Sequence, residues 1–256
     1  MFPSIINRIL ILVMLVSTSL QAQQNSPVIR DSLSKGETYG VRIGVDLSRP
    51  LFGALKTGYS GLELVGDYRL SHRLYLAAEL GNESKTITEN LNNIDNLNII
   101  PIYNLGVTGS YLKAGVDYNT YENWFGMKNN IIVGARYAFS TFQTDLNSFN
   151  YFNSNRYWNP EGFVSGTDAI QQFKGNNATW LEILLGIKTE LFANIFLCAS
   201  VRIGKLVTRN EPDNLPHLWI PGFNRVTEGS SFGTNFNYSL SYLIPLYRKS
   251  RAIEKE

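Results

Sequence analysis

Few side chains in this sequence have the chemistry of a catalytic site. The chain contains two histidines, His72 and His217. His217 could act as the base of a lipid hydrolase for a serine nucleophile such as Ser230 or Ser231. Glu228 would then orient the imidazole. No spacing in the sequence singles out this set, and His72 is expected in a solvated turn. We therefore predict that the protein is not an enzyme, with a lipid-modifying enzyme as an alternative.

No cofactor or metal site is predicted from the sequence. It has no Cys/His cluster with zinc spacing, no EF-hand loop, no P-loop and no dinucleotide fingerprint. The single cysteine, Cys198, is expected to be a small buried hydrophobic residue. The 23 basic and 21 acidic residues give a net charge of +2, which argues against nucleic-acid binding because that needs a concentrated basic field.

Charged residues recur at alternate positions in otherwise apolar segments. The segment YGVRIGVDLS, residues 39–48, places Arg42 and Asp46 between apolar residues of the opposite parity. This alternation indicates a β-strand with two different faces. The charged face holds six cations and seven anions, so its charges can pair. This network, which we expect to face the interior, comprises Arg42, Asp46, Glu63, Asp67, Arg69, Glu79, Lys113, Asp117, Arg136, Glu182, Lys188, Glu190 and Arg202.

Eight alternating segments must position these charges. They are residues 39–48, 61–71, 74–82, 109–119, 131–140, 180–191, 196–204 and 232–247. Short connections follow the second, fourth and sixth segments, whereas long polar ones follow the third, fifth and seventh. This asymmetry is typical of outer-membrane barrels. We predict an all-β, up-and-down antiparallel transmembrane β-barrel of eight strands. The alternative has ten strands, with the extra pair drawn from the loop at residues 140–178.

The alternation also fits a soluble, lipocalin-like barrel that binds an apolar ligand inside. The membrane barrel is favoured because the apolar faces of segments 61–71, 74–82 and 180–191 carry no Lys or Arg, which lipid would penalise. Small glycines on the charged face also suit a narrow interior. Aromatic residues near strand ends are predicted to form interfacial girdles. They are Tyr39, Tyr68, Tyr111, Tyr118, Trp124, Phe125, Phe139, Trp180 and Tyr247.

The first residues have the pattern of an export leader. Arg8 precedes the apolar run at residues 9–16, and small residues lead to Ala22. No later stretch has 18 consecutive apolar residues, so no transmembrane helix is predicted. The predicted organisation is a signal peptide at residues 1–22, a periplasmic lead-in at 23–37, the barrel at 38–247 and a charged periplasmic tail at 248–256, in the outer membrane.

Several segments resemble known outer-membrane barrels. YGVRIGVDLSRP at residues 39–50, YLKAGVDYN at residues 111–119 and LQAQ at the end of the leader are similar to a Bacteroidota barrel family whose biochemical role is unassigned. The chain as a whole resembles the small OmpA-like or porin-like barrels of Gram-negative bacteria. The resemblance implies an outer-membrane barrel and carries over no functional residues.

The loop at residues 140–178 is the predicted binding region. Tyr151, Phe152, Tyr157 and Trp158 lie among many asparagines, and these side chains could stack on and hydrogen-bond a surface glycan or a partner protein. Alternatively, the loop only shields the barrel mouth. Eight strands leave an interior just wide enough to be filled by side chains. We therefore predict a plugged barrel that contacts outer-membrane lipid and has a structural or surface-binding role.

Overall fold

In the computed structural model of the protein, residues 37–92, 99–121, 129–152, 163–166, 170–210, 218–226 and 230–249 are described. They form one short helix and a series of strands. In chain order these are β1 (Glu37–Asp46), α1 (Ser48–Leu55), β2 (Tyr59–Arg69), β3 (Leu74–Asn92), β4 (Ile99–Asn119), β5 (Asn130–Phe152), β6 (Phe163–Ser165), β7 (Gln171–Phe192), β8 (Ile195–Arg209), β9 (Trp219–Ile220), β10 (Asn224–Arg225) and β11 (Phe232–Lys249).

Eight of these strands close into a barrel in which all pairings are antiparallel. The order is β1-β2-β3-β4-β5-β7-β8-β11, and β11 pairs back onto β1, with Ile244 opposite Val41. The predicted eight-stranded, up-and-down barrel is confirmed. The ten-stranded alternative is wrong for the described residues, because β6 pairs only with the end of β5 and β9 pairs only with β10.

The two ends of the barrel differ. At one end, which we call the turn end, lie the short connections, including a two-residue turn at Ala193 and Asn194 with φ of 44° and 69°. Positive φ at both positions is the geometry of a type I′ hairpin turn. The opposite end, which we call the loop end, carries α1 and the segment between β8 and β11.

Alternation along the strands separates a polar interior from an apolar exterior. In β5, Ile132, Arg136 and Ser140 are buried, whereas Val133 and Phe139 are exposed. In β7 the same alternation runs from residue 180 to residue 188. The interior therefore receives the charged side chains. A lipocalin-like barrel with an apolar interior is not supported, because the apolar faces point the other way.

The predicted end of the first strand needs correction. The first strand was expected to reach residue 48, but β1 ends at Asp46, whose Oδ1 accepts a hydrogen bond of 2.7 Å from the Ser48 N–H as α1 begins. Pro50 follows in the first turn of α1, where its missing N–H has no intrahelical partner to lose.

No helix of the described residues is long and apolar enough to cross a membrane.

The regions expected as long polar loops contain strand. β3 continues to Asn92, β5 to Phe152 and β8 to Arg209, while β7 already begins at Gln171. Polar residues are accommodated because each of these extensions is hydrogen-bonded to a neighbour, as where Thr88 lies opposite Asn104. Backbone pairing between strands does not require an apolar face, so the hydrophobic pattern ended before the strands did.

Candidate functional site

The barrel interior concentrates most of the charges that the sequence placed on one strand face. Among the thirteen predicted network residues, the buried ones are Arg42, Asp46, Glu63, Glu79, Lys113, Asp117, Arg136, Glu182, Lys188 and Arg202. Asp67 is almost as enclosed, with a side chain 9% exposed. They converge because each occupies an inward position on its strand. We call them, with the partners described below, the interior network.

Glu79 lies at the centre of the network. One carboxylate oxygen, Oε1, is 3.2 Å from Arg136 Nε, and Oε2 is 2.5 Å from Arg202 Nη1. Arg136 also reaches Asp117, with Nη1 2.7 Å from Oδ1. Paired buried charges of this kind are stabilised by their partners, whereas a single unpaired one would cost several kcal/mol.

Glu182 extends the network across the barrel. Its Oε1 is 2.8 Å from Lys113 Nζ and accepts a hydrogen bond of 2.7 Å from Trp180 Nε1. Its Oε2 is 3.5 Å from Arg202 Nη1. The central part of the interior therefore has three carboxylates and three cations, and its charge is balanced.

Toward the turn end, Asp67 is shared by two cations. Its Oδ1 is 2.6 Å from Arg42 Nε, and its Oδ2 is 2.6 Å from Lys188 Nζ. The Arg42 guanidinium carbon lies 4.7 Å from the centre of the Tyr75 ring and 5.2 Å from that of Phe196. These rings limit water access and favour the cation through its contact with their π-electrons.

The remaining two predicted residues lie at the turn end and are half-buried. Arg69 donates from Nη2 to the His72 carbonyl oxygen at 2.9 Å and from Nε to that of Ser71 at 3.1 Å. Glu190 Oε1 accepts a hydrogen bond of 3.2 Å from the Asn194 N–H. Both side chains therefore stabilise the short connections.

Toward the loop end, Arg49 of α1 enters the barrel among carboxylates. Its Nε is 2.9 Å from Glu83 Oε1, and its Nη2 is 3.5 Å from Glu63 Oε2. Tyr111 donates from its hydroxyl to Glu63 Oε2 at 2.5 Å. Asn237 donates from Nδ2 to Glu63 Oε1 at 3.0 Å. These ion pairs and hydrogen bonds distribute the excess negative charge of this region over several donors.

A short segment from the connection between β8 and β11 closes the interior at the loop end. We call residues 218–226 the plug segment. Its Gly222 N–H donates to Glu83 Oε2 at 3.0 Å. Gly222 has a φ of 79°, and a Cβ at this position would lie 2.5 Å from the Tyr111 ring. Only glycine satisfies both the left-handed conformation and this close approach.

Aromatic contacts hold the plug segment in place. Phe223 meets Trp180 at 5.6 Å between ring centres in an edge arrangement, and Trp219 meets Tyr59 at 6.4 Å. Ala138 belongs to the same buried cluster, and its small side chain leaves room inside the barrel for these rings. The plug segment therefore forms part of a buried apolar cluster that covers the interior network at the loop end.

The aromatic girdle prediction is wrong for three of the described residues, which are buried. Tyr111 and Trp180 are 2% and 0% exposed, because their inward positions place them in the core beneath the plug segment. Tyr118, Phe139 and Tyr247 are exposed on the outside. Tyr39 is buried against Tyr247, and Tyr68 is half-buried. Trp124 and Phe125 lie outside the described residues.

The predicted binding residues are only partly described. Tyr151 is 44% exposed near the end of β5 and stacks on Phe149 with ring centres 6.4 Å apart. Phe152 is the last residue of β5. Tyr157 and Trp158 lie outside the described residues.

The alternative catalytic set is also only partly described. His217 and Glu228 lie outside the described residues, and Ser230 Oγ accepts a hydrogen bond of 3.3 Å from the Phe232 N–H. No group of three or more His, Cys, Asp or Glu within the described segments is arranged to hold a metal ion.

Sequence reasoning missed Glu83, Arg49 and the plug segment. Glu83 continues the inward parity of Glu79 and Gly81 in β3, so extending the alternation by one step would have found it. Arg49 belongs to a helix too short for a periodic pattern. The plug segment, whose core reads WIPGF at residues 219–223, has no alternation that would indicate burial inside a barrel.

Comparisons with known proteins identify a family and a similar fold. A family model described as "Domain of unknown function (DUF6048)" matches residues 1–249. No curated protein matches the chain significantly. Among solved structures, the fold is similar to that in "The crystal structure of Ail, the attachment invasion locus protein of Yersinia pestis", with a TM-score of 0.39 and 10% sequence identity. That match covers 82% of this chain and 99% of Ail.

Proposed function

We infer that this chain, which belongs to the family described as "Domain of unknown function (DUF6048)", is an integral outer-membrane β-barrel with a closed interior. The observation that carries this proposal is the outward face of the barrel. Large apolar side chains stand exposed on neighbouring strands, as Val133, Leu185 and Val201 do in one register row. We call the outward apolar residues of the eight barrel strands the apolar belt. Soluble monomers rarely expose so continuous an apolar surface.

The height of the apolar belt fits a bilayer. On β5 the outward residues are apolar or aromatic from Ile131 to Phe139 and turn polar at Thr141 and Gln143. Nine residues from the first to the last apolar position correspond to the roughly 9–11 residues of a tilted transmembrane strand. The belt ends in the same register row on β3 and β4, at Leu80 and Leu112. The next outward residues toward the loop end, Asn82 and Ser110, are polar.

The interior supports a closed barrel and not a diffusion pore. A cavity at its centre, lined by residues that include Arg42, Asp67, Glu79 and Arg136, has a volume of about 40 Å³. That volume holds a few water molecules at most. Salt bridges cross the interior from β3 to β5 and β8, so that hydrated solutes have no continuous path.

We expect planar lipid bilayers that contain the purified chain to show no stable large-conductance channel, because side chains and the plug segment fill the interior. The measurement is single-channel current under applied voltage, with a general porin inserted in the same bilayer composition as the control for detection. Stable stepwise currents comparable with those of the porin would contradict the closed barrel.

The loop end supports a surface-binding role. Strands β3, β4, β5 and β7 have 19, 21, 23 and 22 residues, about twice what is needed to cross a bilayer. Their paired ends therefore project beyond the apolar belt as a sheet. At its far edge the rings of Phe149 and Tyr151 stack, and the Asn147 amide, two residues before Phe149 on the same strand, donates to Asn104 Oδ1 at 2.8 Å. Aromatic faces beside amide donors suit the apolar faces and hydroxyls of a sugar, and we propose a surface glycan as the partner.

Replacing Phe149 and Tyr151 together by Ala is expected to weaken glycan binding about tenfold, because each ring contributes roughly 0.5–1.5 kcal/mol through stacking. The measurement is retention of labelled protein on a panel of immobilised glycans. Thr86→Ala, at an exposed outward position on the same projecting sheet, is the matched control and should bind as wild type does. Equal retention of the double variant would contradict the proposal, as would retention of wild type on no glycan.

A further inference from the structure

α1 presents an apolar stripe to the outside of the barrel at the loop end. Leu47, which directly precedes the helix, and Leu51 and Leu55 within it recur every four residues and so lie on one helix face. They are 40%, 55% and 72% exposed. Leu47 also follows the outward residues Ile43 and Val45 of β1. The stripe is therefore continuous with the apolar belt.

The opposite side of α1 is fixed to the barrel interior. Arg49 is buried, and its Nε lies 2.9 Å from Glu83 Oε1. The same helix therefore carries exposed leucines on one side and a paired guanidinium on the other. Such a division of polarity suits a short helix that lies along a membrane surface, with its apolar face at the boundary of headgroups and acyl chains.

Glu83 connects α1 to the plug segment. Its Oε1 faces Arg49, while its Oε2 accepts the hydrogen bond from the Gly222 N–H at 3.0 Å. Tyr59 also donates to Oε1, at 3.1 Å. A displacement of Arg49 would leave Glu83 with fewer donors in a buried position, and its carboxylate would have to move toward water. The backbone hydrogen bond that holds Gly222 would then be lost.

We propose that α1 docks on the lipid of the outer leaflet and that this contact holds the plug segment closed through Arg49 and Glu83. The inference rests on the proposed membrane location. Continuity of the stripe with the apolar belt identifies lipid as its occupant. The lipid fixes the height of α1, α1 fixes Arg49, and Arg49 holds the carboxylate that binds Gly222.

The test is hydrogen–deuterium exchange of residues 218–226, measured by mass spectrometry on the full chain in phospholipid nanodiscs that hold one copy each. Leu51→Ser combined with Leu55→Ser is expected to raise exchange in these residues about tenfold. The matched control is Leu91→Ser combined with Ile170→Ser, two exposed apolar residues beyond the apolar belt, which should leave their exchange unchanged. Arg49→Met should raise exchange with the leucines intact, and Gly222→Ala should raise it as the positive control.

Unchanged exchange in the Leu51/Leu55 variant would overturn the proposal, as would an equal rise in the Leu91/Ile170 control. Protection of residues 218–226 that required two copies in each disc would also overturn it and would identify a second copy as the occupant of the stripe. Failure of the wild-type chain to enter nanodiscs would count against the membrane location itself. A chain that enters them but shows no effect of the α1 substitutions would refute only the link between lipid and plug segment.

Discussion

Replacement of Glu79 by Gln is expected to lower the free energy of unfolding by about 3–5 kcal/mol, because it leaves two buried guanidinium groups without their carboxylate. Glu79 is 4% exposed and is the common partner of Arg136 and Arg202. Arg136 retains Asp117, and Arg202 retains Glu182 at 3.5 Å. These remaining contacts reduce the loss without replacing a carboxylate that bonds both groups.

The measurement is denaturant-induced unfolding of the chain refolded in phospholipid vesicles. Glu89→Gln is the matched control, since Glu89 lies on the same strand but is exposed, and it should change the stability by less than about 0.5 kcal/mol. Adding Arg202→Met to Glu79→Gln should recover part of the loss, because it removes one of the two buried guanidinium groups that Glu79 had paired. A Glu79→Gln variant as stable as Glu89→Gln would show that the interior network does not stabilise the fold.

Much of the fold could be predicted from the sequence because a barrel strand has a strict period of two. In β7, Glu182 and Lys188 face inward while Ile183 and Leu185 face outward, as the parity of the sequence requires. This rule uses only the local sequence of each strand. The register between neighbouring strands is then set when all eight strands pair. The parity of the sequence did not show which charged residues pair with each other. Arg42 of β1 pairs with Asp67 of β2, and Asp67 is shared with Lys188 of β7, which follows Asp67 by 121 residues in sequence.

The plug segment and α1 could not be predicted by the same reasoning. Trp219 and Phe223 are as apolar as the belt residues, yet they are buried inside the barrel. Their burial depends on the space left by the small side chains of Ala138 and Ala178. These two residues lie on other strands and come close to the plug segment only in the folded protein. Arg49 likewise enters the interior because a helix turns it inward.

The central claim, that the apolar belt lies in lipid, makes a second large prediction at Leu185. This side chain is 58% exposed, and its register neighbours Val133 and Val201 are also exposed and apolar. Leu185→Arg is expected to destabilise the chain in bilayers by about 2–4 kcal/mol, because a lipid-facing arginine near mid-membrane loses its hydration. On the surface of a soluble barrel the same substitution would change stability by no more than about 0.5 kcal/mol.

The most direct test compares the unfolding free energies of Leu185→Arg and Thr86→Arg in the same phospholipid vesicles. Thr86 is exposed on the outward face of β3 beyond the apolar belt, so an arginine there remains in water. We predict that Leu185→Arg costs about 2–4 kcal/mol and Thr86→Arg less than about 1 kcal/mol. Equal and small effects at the two positions would contradict a membrane location for the belt.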